Sequence, residues 1–76
     1  MKNWKKQKKS ISKTFLCKDF LSAIAFVCEV SKLAEKYDHH PDIDIRFNKV
    51  KLSLTTHDKG GVTEKDYKMA EKFDKI

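Results

Sequence analysis

Pro41 separates two incompatible periodicities. Upstream, Phe20, Ala23, Ile24, Val27, Val30, Leu33, Ala34 and Tyr37 recur at three- and four-residue steps, the stripe of an amphipathic helix. Downstream, Ile43, Ile45 and Phe47 alternate with polar residues, and Val50, Leu52 and Leu54 do the same, as half-buried strands do. A helix cannot run through this proline, because the ring pushes His40 out of the α region. The chain must therefore turn from helix to sheet at His39-His40-Pro41.

The remaining elements follow from local chemistry. Asp19 suits the N-cap of the helix that runs to Tyr37. Read as a tight turn, Asn48-Lys49 sets Phe47 opposite Val50, Ile45 opposite Leu52 and Ile43 opposite Leu54. The same register carried backwards sets His40 opposite His57, on the face without the isoleucines and leucines. Ile11 to Leu16 has the partial alternation of a short strand, with the segment around Trp4 as its partner. After Lys59-Gly60-Gly61, Thr63 is the N-cap of a second helix, Asp66 its capping-box carboxylate, Val62 and Tyr67 a hydrophobic staple, and Tyr67, Ala70 and Phe73 the buried stripe. The order β-β-α-β-β-α predicts an α+β two-layer sandwich, a four-stranded antiparallel sheet with two helices on one face, as a single domain over residues 1–76.

A chain of 76 residues has a thin core, since a domain this size buries only ~60% of its unfolded surface, and help from self-association is expected. Cys17 and Cys28 lie in apolar-patterned segments without CxxC spacing and read as reduced thiols, with Cys28 packing inside the first helix. No apolar run reaches the ~20 residues of a membrane span, and the basic N-terminus lacks an h-region, so a soluble cytoplasmic protein is expected. The net charge of +6 gathers at Lys2, Lys5, Lys6, Lys8 and Lys9; this run reads as a solvated face rather than a nucleic-acid contact, and Trp4 beside it as a core cover rather than a stacking platform.

The three histidines are His39, His40 and His57. Imidazole gives and takes protons near neutrality, so a cluster suits general acid–base chemistry. Three imidazoles can also hold zinc, but the chain has no His-x-His or HExxH spacing, and neighbours on a strand point to opposite faces, which argues against a metal. On spacing alone, proton transfer and ordinary polar histidines on an open sheet face stand side by side.

Glu35-x-x-x-His39-His40-Pro41, an aromatic at Phe47, then His57 and Asp66 resemble the signature of the pterin-4a-carbinolamine dehydratases. Trp4, Ile11-x-Lys13-x-Phe15, Lys18-Asp19-Phe20, Asn48-Lys49-Val50, Ser53-x-Thr55-Thr56-His57 and Gly61-Val62-Thr63 fit the same order, so the resemblance covers nearly the whole chain. The chain departs in lacking the N-terminal extension of longer members, in a shorter stretch between Trp4 and Ile11, and in a phenylalanine at position 47 where some members carry tyrosine. The resemblance implies a lyase that dehydrates 4a-hydroxytetrahydropterin to quinonoid dihydropterin and water, in tetrahydrobiopterin recycling, with no metal or organic cofactor. It implies His39, His40 and His57 as catalytic residues, and Asp38, His39, His40, Thr55, Thr56, His57 and Asp58 as substrate contacts. Glu35 and Asp66 would support them, Asp66 chiefly as a cap. It also implies a homodimer or homotetramer. The alternative is a non-catalytic binding module that serves as a dimerisation cofactor of a transcription factor; a pure adaptor has no need for three histidines with Glu35, which favours the enzyme. Direct nucleic-acid binding ranks third.

Overall fold

The computed structural model describes residues 3–76, so Lys2 of the basic run lies outside the described residues. Strands β1 (Lys5–Lys6) and β2 (Ile11–Leu16) precede helix α1 (Phe20–Tyr37), strands β3 (Asp42–Arg46) and β4 (Lys49–Leu54) follow it, and helix α2 (Glu64–Asp74) comes last. The expected element order holds. All pairings are antiparallel, in the order β1-β2-β4-β3.

Alternation sends Ile11 of β2 and Val50, Leu52 and Leu54 of β4 to one face of the sheet, where they meet Ala23 and Val30 of α1 and Met69, Ala70 and Phe73 of α2. Phe73 is 1% exposed, and burying such a side chain contributes roughly 1.5–3 kcal/mol. Trp4 closes one edge as a core residue, set edge-on to Phe15 at 6.0 Å. Its indole N–H donates to the Asp74 carboxylate at 3.0 Å, and the Lys13 ammonium reaches the same carboxylate at 2.7 Å. Lys5, Lys6, Lys8 and Lys9 are exposed, and Lys5 and Lys6 line the edge strand, where charge discourages further strand pairing.

The β3–β4 register differs from the expected one. Ile45 pairs with Val50 and Ile43 with Leu52, because the turn residues are Phe47-Asn48 and not Asn48-Lys49. Asn48 decides this: its side chain donates to the Cys17 carbonyl at 3.1 Å and its carbonyl accepts from the Cys17 N–H at 2.8 Å, tying the turn to the end of β2. Phe47 pays with φ of 53°, positive as a two-residue hairpin turn requires. The slip is an even number of residues, so every side chain keeps its expected face.

Asp19 caps α1 as expected, accepting the Ser22 N–H at 2.8 Å. That bond holds its carboxyl below the ordinary carboxylate range. The cap's contribution is therefore present at neutral pH and lost as pH falls through the lowered value. The other end of α1 stops before Pro41 can act. Asp38 is left-handed, at φ 51 and ψ 45, and the His39 N–H bonds to Ala34 O at 3.1 Å while the Asp38 N–H faces Glu35 O at 3.4 Å. This is a Schellman end with aspartate where glycine is usual. Asp38→Gly should raise stability by about 0.5–1 kcal/mol, since only the side chain strains a left-handed position. Urea unfolding checks it: a less stable glycine variant would mean that the carboxylate sets the turn.

The apolar stripes are shifted from expectation. In α1 only Ala23, Val30 and Ala34 are fully buried, while Phe20, Ile24 and Tyr37 keep between a third and a half of their surface exposed, and Cys28, expected to pack, is exposed. In α2 the buried set is Asp66, Met69, Ala70 and Phe73, with Tyr67 only half-buried. A carboxylate thus occupies the front of an apolar stripe.

Candidate active site

The exit of α1 and the loop after β4 open on a common cleft of about 530 Å³. Asp38, His39, His40, Thr55, Thr56, His57 and Asp58 all line it, together with Pro41, Asp42 and Lys65. All three histidines therefore share one cleft. They do so without the cross-strand pairing expected from the sequence: continued past β3, the observed register sets His40 opposite Thr55 and not His57.

His39 is the most constrained of the three. Its backbone is fixed by the Schellman turn, and its ring, 13% exposed, meets the fully buried Asp66 with Nε2 to Oδ1 at 2.6 Å. The other carboxylate oxygen accepts the Thr56 hydroxyl and the Thr63 N–H, each at 2.8 Å. Thr56 has then spent its only proton, so the Thr63 hydroxyl donates to Thr56 Oγ1 at 2.7 Å. One carboxylate thus starts α2 and holds an imidazole. The bond assigns the Nε2–H tautomer to neutral His39 and leaves Nδ1 as its acceptor.

His40 and His57 are freer. His40 Nε2 meets Glu35 Oε2 at 2.5 Å, but the two side chains are 54% and 79% exposed, so the pair orients the ring with little effect on stability. Glu35 reaches the cleft only through His40. His57 opens the 3-10 turn His57–Lys59 and is exposed, with no side-chain hydrogen bond to the described residues. Thr56 and Gly61 exchange backbone hydrogen bonds of 3.0 and 3.3 Å beneath it, and Gly60, at φ 70, supplies the left-handed residue that closes the turn. Thr55 donates its hydroxyl to the Lys9 carbonyl at 2.6 Å. Neither threonine thus has a hydroxyl proton free for a ligand, although both face the cleft.

Among the described residues no group of three histidine, cysteine or acidic side chains is placed to hold a metal ion. The cleft instead brings together one imidazole held by a carboxylate and one without a side-chain hydrogen bond to the described residues. Two parts of the site escaped sequence reasoning. The bond from Asp66 to His39 was hidden behind the capping role, although Asp66 stands three, four and seven residues before Met69, Ala70 and Phe73, a position where a carboxylate needs a buried partner. Lys65 carried no signal, being one lysine among many.

The chain matches, over residues 1–76, the family described as Pterin 4 alpha carbinolamine dehydratase. A relative from Roseiflexus sp. (strain RS-1) that bears the name pterin-4-alpha-carbinolamine dehydratase is 58% identical over 73 residues, 96% of this chain and 78% of that one. One of the same name from Sulfolobus acidocaldarius is 41% identical over all 76 residues, 84% of its own length. A crystal structure from Brucella melitensis, titled transcriptional coactivator/pterin dehydratase, superposes with a TM-score of 0.91 at 39% identity, covering 97% of this chain and 81% of that one. No helix among the described residues is long and apolar enough to cross a membrane. With its whole length matched, its fold shared and relatives of that name 41% and 58% identical, this chain belongs to the pterin-4-alpha-carbinolamine dehydratase family.

Proposed function

We propose that the cleft dehydrates a 4a-hydroxytetrahydropterin to a quinonoid dihydropterin and water. The observation that carries this reading is the convergence of His39, His40 and His57 on one cleft, with His39 anchored to a buried carboxylate. The reaction needs one proton delivered to the departing hydroxyl and one removed from the ring nitrogen beside the carbinol carbon, where the new C=N bond forms. His39, through Nδ1, and His57 exchange these protons. His40, tethered by Glu35, and the cleft carboxylates Asp38 and Asp58 hold the pterin, and Asp66 positions His39. The net change is loss of water, with no electrons transferred. We assign the activity to tetrahydrobiopterin recycling, where an aromatic amino acid hydroxylase supplies the carbinolamine.

Purified protein should speed the decay of the synthetic 4a-carbinolamine, followed by ultraviolet absorbance, well beyond its spontaneous rate. Decay at the uncatalysed rate by folded protein would reject the assignment. The name transcriptional coactivator belongs to the Brucella protein; in this chain the converged histidines support the catalytic reading.

A further inference from the structure

A second cavity lies on the other side of His39. It measures about 220 Å³ and is lined by Tyr37, His39, Lys65, Lys68, Met69 and Lys72. His39 and Lys65 also line the histidine cleft, so the two spaces meet at these side chains. We propose that this cavity receives an anionic substituent, a phosphate or carboxylate carried on the pterin, and so sets which pterins the enzyme prefers. The proposal rests on the dehydratase reading and narrows its substrate class.

Charge and spacing support it. Lys65, Lys68 and Lys72 stand three and four residues apart on α2, so their ammonium groups share one face. Like charges at this spacing destabilise a helix, and among the described residues none of the three pairs with a carboxylate. The cleft next door carries Asp38, Asp42 and Asp58, while the cavity lining has no carboxylate at all. An anionic group on a ring seated in the cleft is thus repelled on the cleft side and attracted on the cavity side.

The walls suit a linker between ring and anion. The Tyr37 ring, Met69 and the lysine stems are apolar, and the charges sit at the ends of those stems. The Lys72 ammonium lies 4.7 Å from the Tyr37 ring centroid, a cation–π contact that holds it at the cavity wall. Met69, 3% exposed, closes the floor. Of the lysines only Lys65 borders the catalytic cleft, so Lys68 and Lys72 can be changed without touching it.

The test uses three carbinolamines that differ only at the 6-position, bearing a neutral, a phosphate-bearing or a carboxylate-bearing chain. At low salt, kcat/KM should be about tenfold higher for an anionic chain than for the neutral one, mainly through KM, and the preference should fade as ionic strength rises. Lys68→Gln/Lys72→Gln should bring the ratio close to unity while kcat on the neutral substrate stays unchanged. Preference for phosphate alone identifies a phosphoester, and preference for both anions a general carboxylate-tolerant site. Equal kcat/KM for all three, or a preference that survives the double variant, would overturn the proposal. Calorimetric binding of stable dihydropterins with the same chains separates the two readings. Tighter, Lys68- and Lys72-dependent binding of the anionic analogue without turnover of any substrate would retain the cavity and remove the dehydratase.

Discussion

Replacing His57 by alanine should lower kcat on the carbinolamine by about 10²–10⁴ and leave the protein folded. His57 is exposed and makes no side-chain hydrogen bond to the described residues, so its removal should change stability by less than about 0.5 kcal/mol. That separation of activity from stability is the diagnostic. His39→Ala should lose a comparable amount of turnover, and the double variant should lose little more than the worse single one, because both rings serve one exchange of protons. Stopped-flow absorbance gives the rates and circular dichroism the fold. A native-like His57→Ala protein with unchanged kcat would remove His57 from the chemistry.

Asp66 is the position where stability and turnover should fall together. Its carboxylate is fully buried and accepts from His39, Thr56 and Thr63. Asp66→Ala leaves those three donors without a partner and should destabilise the protein by about 3–5 kcal/mol, a large share of the ~5–15 kcal/mol that holds a small domain together. Asp66→Asn is the gentler probe. With its oxygen kept toward Thr56 and Thr63, the amide turns its NH₂ to His39 Nε2, which can accept only if the ring moves its proton to Nδ1; stability should drop by about 2 kcal/mol as a charged acceptor is lost, and kcat by about tenfold or more as His39 takes the wrong tautomer. Nitrogen chemical shifts of His39 should then show the Nε2–H tautomer no longer dominant. Wild-type turnover and an unchanged tautomer in Asp66→Asn would mean that the carboxylate serves the helix alone.

What could be read from the sequence was what local chemistry decides. Asp19 and Thr63 start helices because a short polar side chain next to an apolar stripe has few better uses, and both stand at the N-caps. The faces of β2 and β4 follow from alternation. The hairpin register does not, since registers that differ by two residues match apolar with apolar about equally well, and the choice fell to Asn48 gripping Cys17 and to a left-handed Phe47. The end of α1 was hidden similarly, because aspartate at 38 does a job that glycine would have advertised. The meeting of the histidines survived the wrong register, because the exit of α1 and the end of β4 lie at the same end of the sheet. The bond between Asp66 and His39 is a contact between distant segments, and no spacing rule reaches it.

Helix α2 is pinned at its front by Asp66, which His39 and Thr56 hold, and near its rear by Asp74, which Trp4 and Lys13 grip from the opposite end of the chain. A rod clamped at two points can neither roll nor slide. The stretch of backbone that carries Lys65, Lys68 and Lys72 is consequently held at one angle before any guest arrives, so a charged tail entering there would order only lysine side chains and not the helix beneath them.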